Sequence, residues 1–154
     1  MLQRTLIIAG LITVAVAIAV AVPMAMLALQ GSHELRFEYV KSGGIAGVSE
    51  KYAFDSKTNI ITFQGTSIAS SERQLPDLSV QAIRHAIAGS GFFAMDSIPP
   101  KKGPADYFTY SLDITAEGAT HSVSWVDDFA SSQPVPTELK EIVKKIEEAY
   151  KAAS

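Results

Sequence analysis

The side chains able to do chemistry in this chain are few and scattered. Its histidines are His33, His85 and His121. None has another His or a carboxylate at a spacing that recurs in metal sites, apart from the adjacent Glu34. Zero cysteines exclude disulfides, zinc–thiolate sites, iron–sulfur clusters and thiol catalysis together. Gly65-Thr66-Ser67-Ile68-Ala69 follows the G-x-S-x-A spacing of a nucleophile elbow, but an elbow needs a strand before it and a helix directly after. A polar stretch follows here. Gly43-Gly44-Ile45-Ala46-Gly47 has the glycines of a phosphate-cradling loop, yet it leads into a strand pattern without a Lys-Ser/Thr pair or a helix N-terminus. Asp127-Asp128 pairs two carboxylates, but neighbours on a strand point to opposite faces and cannot flank one bond. They are expected to end the strand as a solvated turn. The chain is therefore read as non-enzymatic, with no cofactor or metal. Two segments remain: the side-chain-poor stretch Ser42 to Gly47, and the loop Ile98 to Ala105. Either serves as a simple turn or as a surface offered to a partner, and composition does not choose between these.

The elements that position these segments follow from periodicity. Leu35 to Lys41 alternates apolar and polar residues, the period of a half-buried strand. Val48 to Phe54 resumes the alternation, so Ser42–Gly47 reads as the connection of a β-hairpin. Asp55 to Asn59 is a turn, Ile60 to Phe63 a short strand, and Ser67 to Gln74 a polar loop. A helix of about ten residues follows Pro76, with Asp77 or Ser79 as its cap and Gly89 as its end. Its apolar stripe is Val80, Ile83 and Ile87, widened by Ala82 and Ala86. Phe92-Phe93 are expected to tuck under the sheet. Asp106 to Ala116 is the clearest strand, with Phe108, Tyr110, Leu112 and Ile114 on one face. Glu117-Gly118 turns it into a return strand carrying His121, Val123 and Trp125. Pro136-Thr137 open a final helix whose apolar face is Leu139, Ile142, Val143, Ile146 and Tyr150. The fold class is α+β: a mostly antiparallel sheet of four to five strands with two helices packed on one face.

Residues 1–30 are of another kind. Of the 154 residues, with 13 Lys+Arg and 16 Asp+Glu, this segment holds a single charge, Arg4. Leu6 to Leu29 is an uncharged run that spans roughly 36 Å as a helix, enough for a ~30 Å hydrocarbon core. It is read as an N-terminal transmembrane anchor (residues 1–30) in preference to a cleaved signal, since no clean small-x-small site ends the run. Residues 31–34 form a short linker and residues 35–154 the domain. Arg4 and the amino terminus place the N-terminus in the cytoplasm by the positive-inside rule. The protein is then a single-pass protein of the cell membrane with its C-terminal domain outside. Beyond residue 30 acidic residues outnumber basic ones and no basic run occurs, so nucleic acid is not an expected partner.

Several ordered motifs resemble the emfourin family. Leu35 to Gly47, read as strand followed by Ser42-Gly43-Gly44-Ile45-Ala46-Gly47, is similar to that family's strand–SGG–[aromatic or aliphatic]–AG opening. Leu75-Pro76 before the helix, Ser90-Gly91-Phe92-Phe93 after it, Gly103-Pro104-Ala105-Asp106-Tyr107-Phe108-Thr109-Tyr110, Thr120-His121-Ser122-Val123 and Val135-Pro136 with Leu139 follow in the family's order. The resemblance covers roughly residues 34–151. It implies a non-enzymatic protein inhibitor of thermolysin-like zinc metalloproteases that occludes the protease cleft. By the same resemblance Ser42, Gly43, Gly44, Ile45, Ala46 and Gly47 become the partner-binding segment, with the loop Ile98–Ala105 second. An alternative expectation is an accessory or structural subunit of a membrane protein complex, in which the Ala-rich apolar run with Gly10 packs against other helices.

Overall fold

A computed structural model of the chain describes residues 34–103 and 105–153. The expected anchor over residues 6–29, its orientation and most of the linker lie outside the described residues. Among the described residues, no helix is long and apolar enough to cross a membrane.

Alternation builds the sheet. In β1 (Leu35–Gly43) the odd positions Leu35, Phe37 and Tyr39 are buried. Register then lines up the same face of its neighbours. Phe37 lies opposite Phe54 of β2 (Val48–Asp55) and Ile114 of β5 (Phe108–Ala116). Tyr39 lies opposite Tyr52 and Leu112. Beyond β2 come β3 (Ile60–Gly65) and β4 (Ile68–Gln74); beyond β5 comes β6 (Ala119–Val126). The strand order is β4-β3-β2-β1-β5-β6, with every neighbouring pair antiparallel. Both helices cover the one apolar face. Val80, Ile83 and Ile87 of α1 (Asp77–Ser90) join the same core as Leu139, Ile142, Ile146 and Ala149 of α2 (Thr137–Ala152). The other face of the sheet is polar and open, crossed by the Lys51–Glu38 ion pair at 2.7 Å. One covered face and one wet face is the usual economy of an antiparallel sheet.

The fold is α+β as expected, but the sheet has six strands, not four to five. The stretch Ser67–Gln74, expected as a loop, contains β4. Its sequence hid it because an edge strand hydrogen-bonds through its backbone while its side chains stay mostly exposed, so no apolar alternation is needed. Helix α1 runs for 14 residues, longer than expected. Neither Asp77 nor Ser79 caps it: Pro76 occupies the N-cap without a side-chain bond, and the Ser79 N–H donates to the Pro76 carbonyl. The helix ends at Gly91 in the left-handed region, φ 70°, two residues past Gly89. Ala82 faces solvent, outside the stripe assigned to it. Of the Phe92-Phe93 pair only Phe92 enters the core. β5 starts at Phe108, after Asp106 and Tyr107. Ile98, expected in an exposed loop, is buried and its N–H donates to Ser124 at 2.7 Å. With Ser97 Oγ accepting from Ser124 N at 2.9 Å, this segment covers part of the β6 edge.

Candidate functional site

The Ser42–Gly47 stretch closes the β1–β2 hairpin at one end of the sheet. Ser42 pairs with Ser49 and Gly43 with Val48. The Gly47 N–H then donates to the Gly44 carbonyl at 3.0 Å, which puts Ile45 and Ala46 at the apex of a tight turn. Gly43, Gly44 and Gly47 all have positive φ, a conformation that costs L-residues strain and glycine almost none. The base of the tip is braced against the start of β5. The Gly44 N–H donates to the Tyr107 carbonyl at 3.3 Å, and a side chain on Gly43 would meet that same oxygen at 2.6 Å. A side chain on Gly44 would press on the Phe108 ring at 3.0 Å. Lys41 Nζ stands 4.6 Å from the centre of that ring and 3.6 Å from Glu50 Oε2. Ser42, Gly43 and Gly44 are thus half-buried, while Ile45 is 92% exposed.

The tip rests on Tyr107 and Phe108, which follow the second segment, Ile98–Ala105; that segment itself is bonded elsewhere. Lys101 N donates to Ala130 O at 2.8 Å, and Ser132 N to Pro99 O at 3.0 Å, so the loop is tied to the turn after β6. On the other side Thr66 of the β3–β4 turn accepts from Ser49 N and donates to Ser49 O. Tip, loop and two turns therefore form one end of the sheet.

Asp127 holds this end together. It was expected to be solvated; instead it is half-buried, accepting from Phe108 N at 2.8 Å and from Tyr110 OH at 2.7 Å. Sequence reasoning missed this brace, although counting outward from the Glu117-Gly118 turn places residue 127 opposite residue 108. Asp128 points elsewhere, to Lys140 Nζ at 2.6 Å. Behind the tip lies a cavity of about 240 Å³ between α2 and the stacked rings of Tyr39, Tyr110 and Trp125. Burial pushes the Tyr110 hydroxyl pKa up, helped by its bond to Asp127, and burial also raises that of Tyr39. These phenols stay protonated at neutral pH, as donors and not bases. The acids at the rim, Asp127 and Asp128, already have partners.

The other motifs fall elsewhere. Gly65-Thr66-Ser67-Ile68-Ala69 forms the β3–β4 turn and leads into a strand. His85 is exposed on α1, and His121 Nε2 lies 2.7 Å from the Met95 carbonyl; His33 is outside the described residues. Among the described residues, no three His, Cys, Asp or Glu side chains gather as a candidate metal site. Compared with protein-family models and with curated proteins, the chain matches none.

Proposed function

We propose that this chain is a protein inhibitor of thermolysin-like zinc metalloproteases. It is tethered by residues 6–29 to the cell membrane, with the α+β domain outside the cytoplasm. The tip Ser42–Gly47 enters and occludes the protease cleft without itself catalysing a reaction. The observation that carries this reading is the braced tip: a turn of three positive-φ glycines, seated on Tyr107 and Phe108, that holds an almost fully exposed Ile45. A loop already held in one conformation loses little entropy on binding, which is what an occluding segment needs. The chain enters the domain at Glu34, at the end of β1 away from the tip.

The test is inhibition of thermolysin by the full-length chain in mild detergent, beside a Gly44→Trp variant. Inhibition by the native chain that falls at least tenfold in the variant is the expected result. If the native chain leaves thermolysin fully active, the inhibitor reading fails. The accessory-subunit reading then takes its place, and the proteins that co-purify with the intact chain from membranes become the measurement.

A further inference from the structure

We infer that the cavity behind the tip is a binding site for a small aromatic amine whose ring carries an oxygen acceptor. The ring lies against aromatic and valine walls, its oxygen accepts from Tyr39 and Trp125, and the ammonium sits at an acidic rim. This site is independent of the inhibitor reading above.

On the sheet, Tyr39 and Trp125 stand with ring centres 6.4 Å apart and planes within 15° of parallel, and Tyr110 stacks on Trp125 at 5.4 Å. Val126, Val135 and Val143 complete the apolar lining. An apolar cavity of roughly 150 Å³ takes up benzene. At about 240 Å³ this one holds a single ring with a short side chain. Two of its polar groups are unpaired. Tyr39 is 2% exposed and Trp125 6%, yet neither the Tyr39 hydroxyl nor the Trp125 indole N–H has a hydrogen-bond partner among the described residues. Tyr110, the third ring, does have one, Asp127. Buried tyrosine and tryptophan ordinarily find a partner, and a donor left without one is costly. An indole N–H can only donate. The missing group is therefore an acceptor, and the cavity is the space that both residues line.

Charge at the rim sets the other end of the ligand. Asp127 and Asp128 line the cavity against one lysine, Lys140, which is paired with Asp128. Each Asp127 oxygen already accepts one bond, from Tyr110 OH or from Phe108 N, but an ionised carboxylate has about four acceptor sites in all. Both oxygens can accept again. The negative field of Glu147 also reaches the Tyr39 hydroxyl. This surplus attracts an ammonium and repels an organic anion. A bare hydrocarbon chain would fill the space but leave both donors unpaired, which disfavours it.

The experiment titrates tyramine into the isotope-labelled full-length chain in lipid nanodiscs and follows the indole N–H signal by NMR. The sequence has one tryptophan, so that signal reports on this cavity alone. Phenethylamine lacks the ring oxygen and 4-hydroxyphenylacetate reverses the charge. Tyramine is expected to shift the signal saturably, binding at least threefold more tightly than phenethylamine and at least tenfold more tightly than the anion. Tyr39→Phe keeps the ring and removes an unpaired hydroxyl, so its urea midpoint should not fall while its tyramine affinity drops at least threefold. Val143→Phe narrows the cavity from α2 and should abolish the shift. Absence of a saturable shift at millimolar tyramine would overturn the proposal and leave the cavity to water. Equal affinity for the three compounds would overturn it as unselective uptake of apolar solutes, and so would native affinity in both variants. No readout here involves a protease, so the outcome leaves the inhibitor reading where it stood.

Discussion

Gly43 and Gly47 sit in one hairpin with the same sign of φ, +121° and +59°, yet a side chain would fare differently at each. At Gly47 an added Cβ meets nothing within 4 Å, so Gly47→Ala bears only the left-handed backbone cost of roughly 1–2 kcal/mol. At Gly43 the Cβ would sit 2.6 Å from the Tyr107 carbonyl oxygen. That is a backbone atom one residue before β5, already accepting from the Gly44 N–H, and it cannot swing aside. Gly43→Ala then adds overpacking of ~1–3 kcal/mol to backbone strain of ~1–3 kcal/mol. Urea denaturation of the two variants should show Gly43→Ala to be the less stable by about 2 kcal/mol. Equal losses would mean that the tip is not seated on β5.

At the scale of elements, β4 is the part least supported by the core. It pairs only with β3, and most of its side chains are exposed. Three hydrogen bonds tie it to α2 and its C-cap. Ser71 Oγ lies 2.6 Å from Tyr150 OH, and Arg73 donates to the carbonyls of Tyr150 and Ala153 at 3.4 and 3.3 Å. The Arg73 guanidinium also lies 4.6 Å from the centre of the Tyr150 ring. A cation at a helix C-terminus meets carbonyls that the helix leaves unpaired and the negative end of its dipole. Arg73→Ala should therefore loosen two elements at once. Hydrogen exchange is expected to rise several-fold in residues 68–74 and in the last turn of α2, with a global loss of about 1–2 kcal/mol. Faster exchange in β4 alone would show that Arg73 does not hold the helix end.

For the whole molecule, the shared core makes stability depend on pH through its tyrosines. Burial raises the pKa of Tyr39 and Tyr110, and it pushes Tyr52 up to about 12, with Glu147, Glu50 and Tyr150 adding to the effect there. A raised phenol binds its proton more tightly in the folded chain than in the unfolded one. The associated stability is fully present below the ordinary tyrosine value near 10, and it is lost as pH climbs from there through the folded values. The urea midpoint should be insensitive to these groups between pH 7 and 9, then fall steadily above pH 10. Tyrosinate absorbance should reach its full amplitude only as the domain unfolds. Complete ionisation of all five tyrosines with the fold intact would contradict the packing described.

Much of this architecture was legible from local pattern. Period-two alternation marked β1, β2, β5 and β6, because each must bury one face. The 3.6-residue stripe marked both helices for the same reason, and Glu117-Gly118 marked the tight turn in which both residues adopt positive φ. The glycines of Ser42–Gly47 marked a turn without saying what it rests on. Hidden from that reading were the features whose cause lies across the sheet. β4 exists because β3 offers it backbone partners and α2 holds Ser71 and Arg73. Asp127 is a brace because register sets it against Phe108 and Tyr110. Burial demand repeats along a chain, so the sequence by itself determined most elements and their buried faces; pairing between distant strands leaves no local period, so only the tertiary structure decided the edge strand and the brace.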